Sequence, residues 1–148
     1  MKKSQFAVFL TVVLSVYTLV NYYIYITGLH ALPQRYETAY SLLFLFVFIS
    51  YIAGRFLERK FLNKLSSFFV WVGSFWLAAM VYYLFFVLAI DFLRLADFIF
   101  GFFPASFYSE YYNLIFFTVV NAAVLTIVLA GYINAKNPVI KKLDLTID

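Results

Sequence analysis

The chain has 148 residues, of which 66% are hydrophobic, 24% are aromatic and only 12% are charged. Soluble domains carry roughly 25% charged residues, so this composition excludes an ordinary soluble protein and predicts an all-α integral membrane protein. The net charge of +4 lies in short basic clusters between apolar stretches, a pattern typical of membrane topology and not of nucleic-acid binding. Cysteine is absent, which excludes disulfides, thiolate catalysis and cysteine-based metal sites.

The first predicted membrane span covers Phe6–Ile26. Two lysines before an apolar run also resemble a secretory signal peptide, but the run is longer than a usual signal core and lacks a convincing small-x-small cleavage site. The polar residues of this span share one helical face, which predicts packing against other helices, with a polar pathway for a solute as the alternative. These residues are Thr11, Ser15, Thr18 and Asn21. His30 follows in a loop without partners at ligand spacing, which argues against metal binding or catalysis.

The second predicted span, Thr38–Gly54, ends at a basic linker, RFLERKFLNKL. Charged and apolar residues are interspersed in this linker near helical spacing, which predicts a short helix on the membrane surface. The third span, Phe68–Ile90, has no ionisable residue and is long enough to cross a hydrocarbon core of ~30 Å. Within it, Ser74 and Ala78 form a small-xxx-small pair beside Gly73, which predicts the close approach of a neighbouring helix.

Three charged residues at three-residue spacing follow the third span: Asp91, Arg94 and Asp97. They share a helical face at the predicted membrane edge, so we interpret them as a ladder of interfacial ion pairs that ends the span. A functional intramembrane cluster is the alternative. The aromatic stretch FIFGFFPASFYSEYY comes next and is interrupted by Gly101 and Pro104, so it is predicted to be an interfacial segment or loop.

The fourth predicted span, Leu114–Ile133, contains small residues at four-residue intervals, a pattern that favours close helix contact. These residues are Thr118, Ala122, Thr126 and Ala130. Asn121 lies about a third of the way into the span and needs a hydrogen-bonding partner inside the bundle, which we predict to be Ser15 or Thr18. The helix-packing polar residues predicted overall are Ser15, Thr18, Asn21, Asn121 and Thr126.

These spans predict one domain over residues 1–137, a four-transmembrane-helix bundle with short loops. Threading four spans gathers most basic residues on one side of the membrane, and the positive-inside rule makes that side cytoplasmic, together with both termini. The final residues alternate apolar and polar side chains from Leu143 to Asp148, the period of a half-buried strand. Because one strand is unstable alone, residues 138–148 are interpreted as the truncated start of a cytoplasmic strand-containing domain.

The order of four aromatic-rich spans, the segment WVGSFWLAAMVYYLFFVLAIDFLRL at positions 71–95 and the exit KNPVIKKLDLTID together resemble the N-terminal membrane region of bacterial transmembrane metallophosphoesterases of the calcineurin-like superfamily. The resemblance covers nearly the whole chain. It implies a multi-pass protein of the bacterial inner membrane, whose cytoplasmic catalytic domain holds two divalent metal ions and hydrolyses phosphoesters. The chain itself has no Asp-x-His, Gly-Asp or Gly-Asn-His-Glu motif, so it is predicted to hold no metal or cofactor and to be inactive alone.

We therefore expect a non-catalytic anchor whose partners are the lipid bilayer and its own C-terminal catalytic domain. The alternative is a small transporter or channel that acts as a homo-oligomer. Such a function requires an ionisable residue or a broken helix at mid-membrane depth. A third hypothesis, an intramembrane enzyme acting on lipid, needs Asp91, Glu110 or His30 gathered in one cavity. Beyond Asn121, the sequence offers little for either alternative.

Overall fold

The described part of the chain is almost entirely helical. The structure, a computed structural model, describes residues 3–60 and 64–136. Its elements are, in order, α1 (Lys3–Ala31), α2 (Gln34–Lys60), α3 (Lys64–Phe100), a 3₁₀ helix (Ala105–Tyr108) and α4 (Glu110–Lys136). All four α-helices are long and apolar enough to cross a membrane, which confirms the predicted helical class and the number of candidate spans.

The helices are longer than the predicted spans because their ends continue past the most apolar residues. α2 runs on through Lys60, so the first half of the basic linker extends this helix and does not begin a separate surface helix. α3 has 37 residues, a length of about 55 Å at the rise of an α-helix, and it continues through the charged residues expected to end the span. The strand predicted at 143–148 and the second domain predicted at 138–148 lie outside the described residues.

α3 ends at a glycine and a buried carboxylate. Gly101 has a φ of 64°, the left-handed conformation in which glycine commonly ends helices, and its N–H donates to the Asp97 carbonyl at 2.6 Å. The Asp97 carboxylate accepts from the Phe103 N–H at 2.6 Å and from the Tyr108 hydroxyl. Asp97 thus fastens the loop that leads from α3 to α4.

Consecutive helices run antiparallel. Tyr17 of α1 stacks on Phe48 of α2, whereas Tyr25, further along α1, stacks on Tyr40, which is earlier in α2. Equivalent inverted pairs join α2 to α3 and α3 to α4: Phe46 with Phe69, Phe44 with Trp76, Phe75 with Tyr132, and Arg94 with Asn113. The N-terminus of α1 and the C-terminus of α4 therefore lie at the same end of the bundle.

The two ends of the bundle differ in charge. The end that holds the start of α1 and the end of α4 is called the basic end. Its charged positions among the described residues are Lys3, Arg55, Glu58, Arg59, Lys60, Lys64 and Lys136. The opposite end is called the acidic end, and its charged positions are Arg35, Glu37, Asp91, Arg94, Asp97 and Glu110. Because consecutive helices are antiparallel, basic clusters that are far apart in sequence meet at one end.

Two glycines bring the backbones of α2 and α3 into close contact. A Cβ added at Gly54 would stand 2.8 Å from the backbone nitrogen of Val70. A Cβ added at Gly73 would stand 2.5 Å from the Cα of Tyr51 and 2.9 Å from its backbone nitrogen. Small residues let membrane helices approach this closely and gain van der Waals contact. The predicted close approach beside Gly73 is therefore present, with α2 as the partner.

The other small residues singled out by their spacing lie on exposed faces of their helices. Ser74 and Ala78 are exposed on α3. The four small residues of α4 are exposed as well: Thr118, Ala122, Thr126 and Ala130. Equal spacing marks a helical face but does not say whether that face meets a neighbour, and in this bundle the contacting face of α3 is the one that carries Gly73.

We expect Gly73→Ala to lower the free energy of unfolding by about 1–3 kcal/mol, since overpacking of a tight contact typically costs that amount. The atoms that the new methyl group meets belong to the Tyr51 backbone, which has no rotamer to relieve the contact. Gly131→Ala is the matched control, because no atom lies within 4 Å of a Cβ added there. Unfolding in mixed micelles, followed by circular dichroism, measures both variants. Equal stability of the two would contradict the close contact between α2 and α3.

Candidate functional site

The face of α1 that meets the bundle is formed by buried residues at helical spacing: Tyr17, Asn21, Ile24 and Gly28. The polar face predicted for this helix shares only Asn21 with it, because Ser15 and Thr18 are exposed. Thr126 of α4 is exposed too, and its hydroxyl donates to the Ala122 carbonyl of its own helix at 2.8 Å. Ser15, Thr18 and Thr126 are therefore exposed in one chain, and their helix-packing role stays a prediction.

Asn21 is 1% exposed and joins α1 to α3 through its side-chain amide. Its Oδ1 accepts from Trp76 Nε1 at 2.8 Å. Its Nδ2 donates to the Tyr17 carbonyl at 2.8 Å and to Met80 Sδ at 3.0 Å. An unpaired amide in hydrocarbon costs several kcal/mol, so these partners are what allow an asparagine to lie at this depth.

Asn121 takes its partner from α3 and not from α1. Its Oδ1 accepts from the Tyr83 hydroxyl at 2.7 Å, and its Nδ2 donates to the Phe117 carbonyl at 2.7 Å. The sequence-based prediction of Ser15 or Thr18 as the partner is therefore wrong. The antiparallel packing of α3 and α4 brings Tyr83 level with Asn121, whereas Ser15 and Thr18 lie nearer the basic end.

A cavity of about 160 Å³ lies beside these polar clusters and is lined by residues from all four helices. Its deep part is largely aromatic. Phe44 and Trp76 meet edge to face with their centroids 5.1 Å apart, and Tyr40 meets Phe117 in the same way at 5.9 Å. The residues that line it on α3 run from Trp76 to Arg94, a distance of about 27 Å along the helix. The cavity is therefore long and narrow.

The mouth of the cavity lies at the acidic end and carries Arg94, Asn113 and His30. Arg94 Nη2 donates to Asn113 Oδ1 at 2.9 Å, and the Arg94 and His30 side chains are exposed. The cavity also reaches the outer surface of the bundle beside Leu43, whose side chain is 66% exposed. It is thus accessible both from the charged end and from the side.

The charged residues of α3 connect neighbouring elements in place of the predicted ladder of ion pairs. Residues three apart share a helical face, but adjacent elements offer each of these charges a different partner. The contacts are Asp91 with the Tyr23 hydroxyl of α1, Arg94 with Asn113 of α4, and Asp97 with the Tyr108 hydroxyl of the 3₁₀ helix. The acidic end is therefore held together by hydrogen bonds from one long helix to three other parts of the chain.

Tyr108 lies outside the candidate spans, and its hydrogen bond to the Asp97 carboxylate raises the pKa of its phenol. Ionising this phenol would place two negative charges in contact, which disfavours the charged form. Tyr108 accordingly remains a hydrogen-bond donor through neutral pH. Its hydrogen bond to Asp97 therefore continues to hold the loop after α3 at neutral pH.

The chemistry of the cavity suits binding. In the described ranges, no group of three His, Asp or Glu side chains converges as metal ligands. Every buried side-chain nitrogen or oxygen in the same ranges has a hydrogen-bond partner, so the deep walls offer a guest no unsatisfied polar atom. Of the residues that an intramembrane lipid enzyme would need, His30 lines the cavity while Asp91 and Glu110 do not.

Sequence reasoning missed the aromatic residues that organise this site: Tyr17, Tyr40, Trp76 and Tyr83. A buried tyrosine or tryptophan needs a partner for its O–H or N–H, and an asparagine at similar depth in a neighbouring span is a natural one. That signal exists for the Tyr83 and Asn121 pair. It is hard to use in a chain with 13 tyrosines, because six of them are exposed and several others bond to groups that are not asparagine side chains.

Comparison of the chain with protein-family models, curated proteins and solved structures finds no match.

The Tyr83–Asn121 hydrogen bond can be measured by a double-mutant cycle with Tyr83→Phe, Asn121→Leu and the double variant. We expect a coupling energy of roughly 0.6–1.7 kcal/mol, the range found for hydrogen bonds between membrane helices. Thr126→Val is the control, since its hydroxyl is exposed and bonded within its own helix, and it should leave stability nearly unchanged. Strict additivity of the two single variants would contradict the bond.

Proposed function

We propose that this chain is a membrane-spanning anchor that holds a cytoplasmic metallophosphoesterase domain at the bacterial inner membrane. The observation that carries the proposal is the charge difference between the ends of the bundle. The first helix begins and the last helix ends at the basic end. A domain joined after α4 then lies on the same side of the membrane as the N-terminus.

The orientation follows from the positive-inside rule. Lysine and arginine near short membrane spans are retained in the cytoplasm, so the basic end faces inward. The acidic end, with Asp91, Asp97 and Glu110, then faces outward. In this orientation, the residues that follow α4 in the sequence KNPVIKKLDLTID are on the cytoplasmic side of the membrane.

The resemblance of the chain to the membrane region of transmembrane metallophosphoesterases is what supports the proposed identity of the tethered domain. The two divalent metal ions belong to that domain and to its phosphoester chemistry, and the anchor contributes position. Fixed packing suits such a role, and this bundle has it in the glycine contacts of α2 with α3 and in the hydrogen bonds of Asn21 and Asn121.

A small transporter or channel that acts as a homo-oligomer is the competing function. The cavity between the helices is the observation in its favour. Against it, the lining residues run from the acidic end to about the level of Trp76, and the close contact at Gly54 and Gly73 lies toward the basic end. A solute path through one chain would have to separate α2 from α3 there.

The orientation can be tested by labelling single cysteines, because the chain has none of its own. Ser4→Cys lies at the basic end and Ser109→Cys at the acidic end, and both positions are exposed. In whole cells with a permeable outer membrane, a membrane-impermeant maleimide should label Ser109→Cys directly and Ser4→Cys only after lysis. The reverse pattern, or labelling of both positions in intact cells, would contradict the proposed orientation.

The anchor role predicts that the purified chain hydrolyses no phosphodiester in the presence of added Mn²⁺. It also predicts that in-frame codons after Asp148 encode Asp-x-His and Gly-Asn-His motifs, and that the product hydrolyses phosphoesters in the membrane fraction. A stop codon directly after Asp148, with solute flux into liposomes that contain the chain, would contradict the anchor and favour the transporter.

A further inference from the structure

We propose that the interhelical cavity binds one hydrocarbon chain of an anionic phospholipid from the outer leaflet, with the lipid phosphate at Arg94. The proposal concerns the bundle itself and does not depend on which domain the bundle anchors, although the choice of the outer leaflet rests on the orientation proposed above. It rests on the shape of the cavity, on the chemistry of its walls and on the position of its cation.

The shape of the cavity selects a thin ligand. Pockets that hold drug-sized molecules measure roughly 300–1,000 Å³. This cavity has about 160 Å³ distributed over a lining that extends about 27 Å along α3. The elongated outline of this space suits an extended, thin ligand better than a compact one, and a single hydrocarbon chain has that outline.

The walls of the cavity suit a chain without polar groups. Phe44, Val87, Phe117 and Val120 contribute apolar surface, and Trp76 uses its only polar atom to donate to Asn21. The polar atoms of Asn121 are already engaged, with the Tyr83 hydroxyl and the Phe117 carbonyl. A hydrocarbon chain therefore fills the space without leaving a buried polar group unpaired.

The mouth of the cavity suits an anionic headgroup. A guanidinium has five N–H donors, and the hydrogen bond to Asn113 engages only one of the Arg94 nitrogens. Two acids lie within one turn of Arg94 on the same helix, but Asp91 accepts from Tyr23 and Asp97 from Tyr108 and the Phe103 N–H. Arg94 is exposed and next to an apolar cavity, the arrangement in which a phosphate and its chain can both be held.

The route of entry is lateral. Leu43 lines the cavity and is also exposed on the outer surface of the bundle, so the cavity meets the surrounding lipid there. In the proposed orientation the acidic end faces outward, and Arg94 then lies at the level of the outer-leaflet headgroups. A lipid can insert one chain beside Leu43 while its second chain stays in the bilayer.

The two tryptophans of the chain provide a direct measurement. Trp76 lines the cavity, whereas Trp71 is exposed, so Trp71→Phe leaves Trp76 as the one tryptophan, which is excited selectively at wavelengths where tyrosine does not absorb. This protein is reconstituted in phosphatidylcholine vesicles that contain increasing small fractions of phosphatidylglycerol with brominated acyl chains, which quench tryptophan on contact. Saturable quenching of Trp76 by the brominated phosphatidylglycerol, and much weaker quenching by brominated phosphatidylcholine at the same fraction, is the expected result.

Two pairs of variants locate the ligand. Arg94→Gln should weaken the apparent affinity for phosphatidylglycerol about tenfold, the value of a charge-assisted hydrogen bond. Arg35→Gln removes the other cation of the acidic end, which lies over the Tyr36 ring and does not line the cavity, and it should leave the affinity unchanged. Val120→Phe fills the cavity and should abolish saturable quenching. Val119→Phe is its control, because Val119 is the preceding residue of α4 and is exposed, and this variant should keep saturable quenching.

Circular dichroism establishes that each variant keeps its helical content, and the arginine pair remains decisive if Val120→Phe does not fold. Quenching that rises linearly with bromine content and is equal for the two lipids would overturn the proposal, because it reports random contact with the bilayer. Equal effects of Arg94→Gln and Arg35→Gln would overturn it as well, since they would indicate that the affinity depends on the net charge of this end and not on a phosphate held at Arg94.

Discussion

The close contact of α2 and α3 is the constraint on which the rest of the bundle depends. In lipid, helices gain no hydrophobic free energy by associating, so their contact relies on van der Waals packing and on hydrogen bonds between them. Gly54 and Gly73 allow the two backbones to meet over about one helical turn near the basic end. α1 and α4 then pack against this pair, largely through aromatic rings such as Tyr17, Phe75 and Tyr132.

The cavity lies on the acidic side of that contact, among aromatic residues. Toward the acidic end, rings such as those of Tyr40, Phe44 and Phe117 fill the space between the helices. Several of these rings meet edge to face, an arrangement that aromatic pairs prefer to a face-to-face sandwich. The two asparagines stand beside this space with their amides fully engaged, so the same residues that hold the helices together also give the cavity apolar walls.

Much of the architecture was accessible from the sequence, because hydrocarbon imposes simple requirements on length and polarity. The uninterrupted apolar run of the third span and the clustering of basic residues predict four helices without any knowledge of side-chain contacts. Which face of each helix meets a neighbour was not accessible. A soluble helix shows a polar face, but α1 and α4 are apolar nearly all round, so equal spacing of Ser15, Thr18 and Asn21 pointed to a seam that includes only Asn21.

The candidate site, like the fold, could be predicted only in part from the sequence. Asn21 and Asn121 stand out because an amide in an apolar run demands a partner, yet the partners Trp76 and Tyr83 are hidden among 35 aromatic residues. The sequence predicts ion pairs among the charged residues of α3 themselves, since helical spacing is visible in a sequence and the neighbouring helices are not. Tyr23 and Asn113 approach those charges only because α1 and α4 pack on either side of α3.

In a membrane, the length of α3 would couple this protein to the thickness of the bilayer. A helix of about 55 Å exceeds a hydrocarbon core of ~30 Å by several turns, so in a membrane it has to tilt, to project into water, or to do both. Its last turns carry Arg94 and Asp97, which are bonded to α4 and to the following loop. A thicker or thinner bilayer therefore changes the depth at which the cavity mouth sits, and sterol-free and sterol-rich membranes would present the same side chains to different layers of lipid.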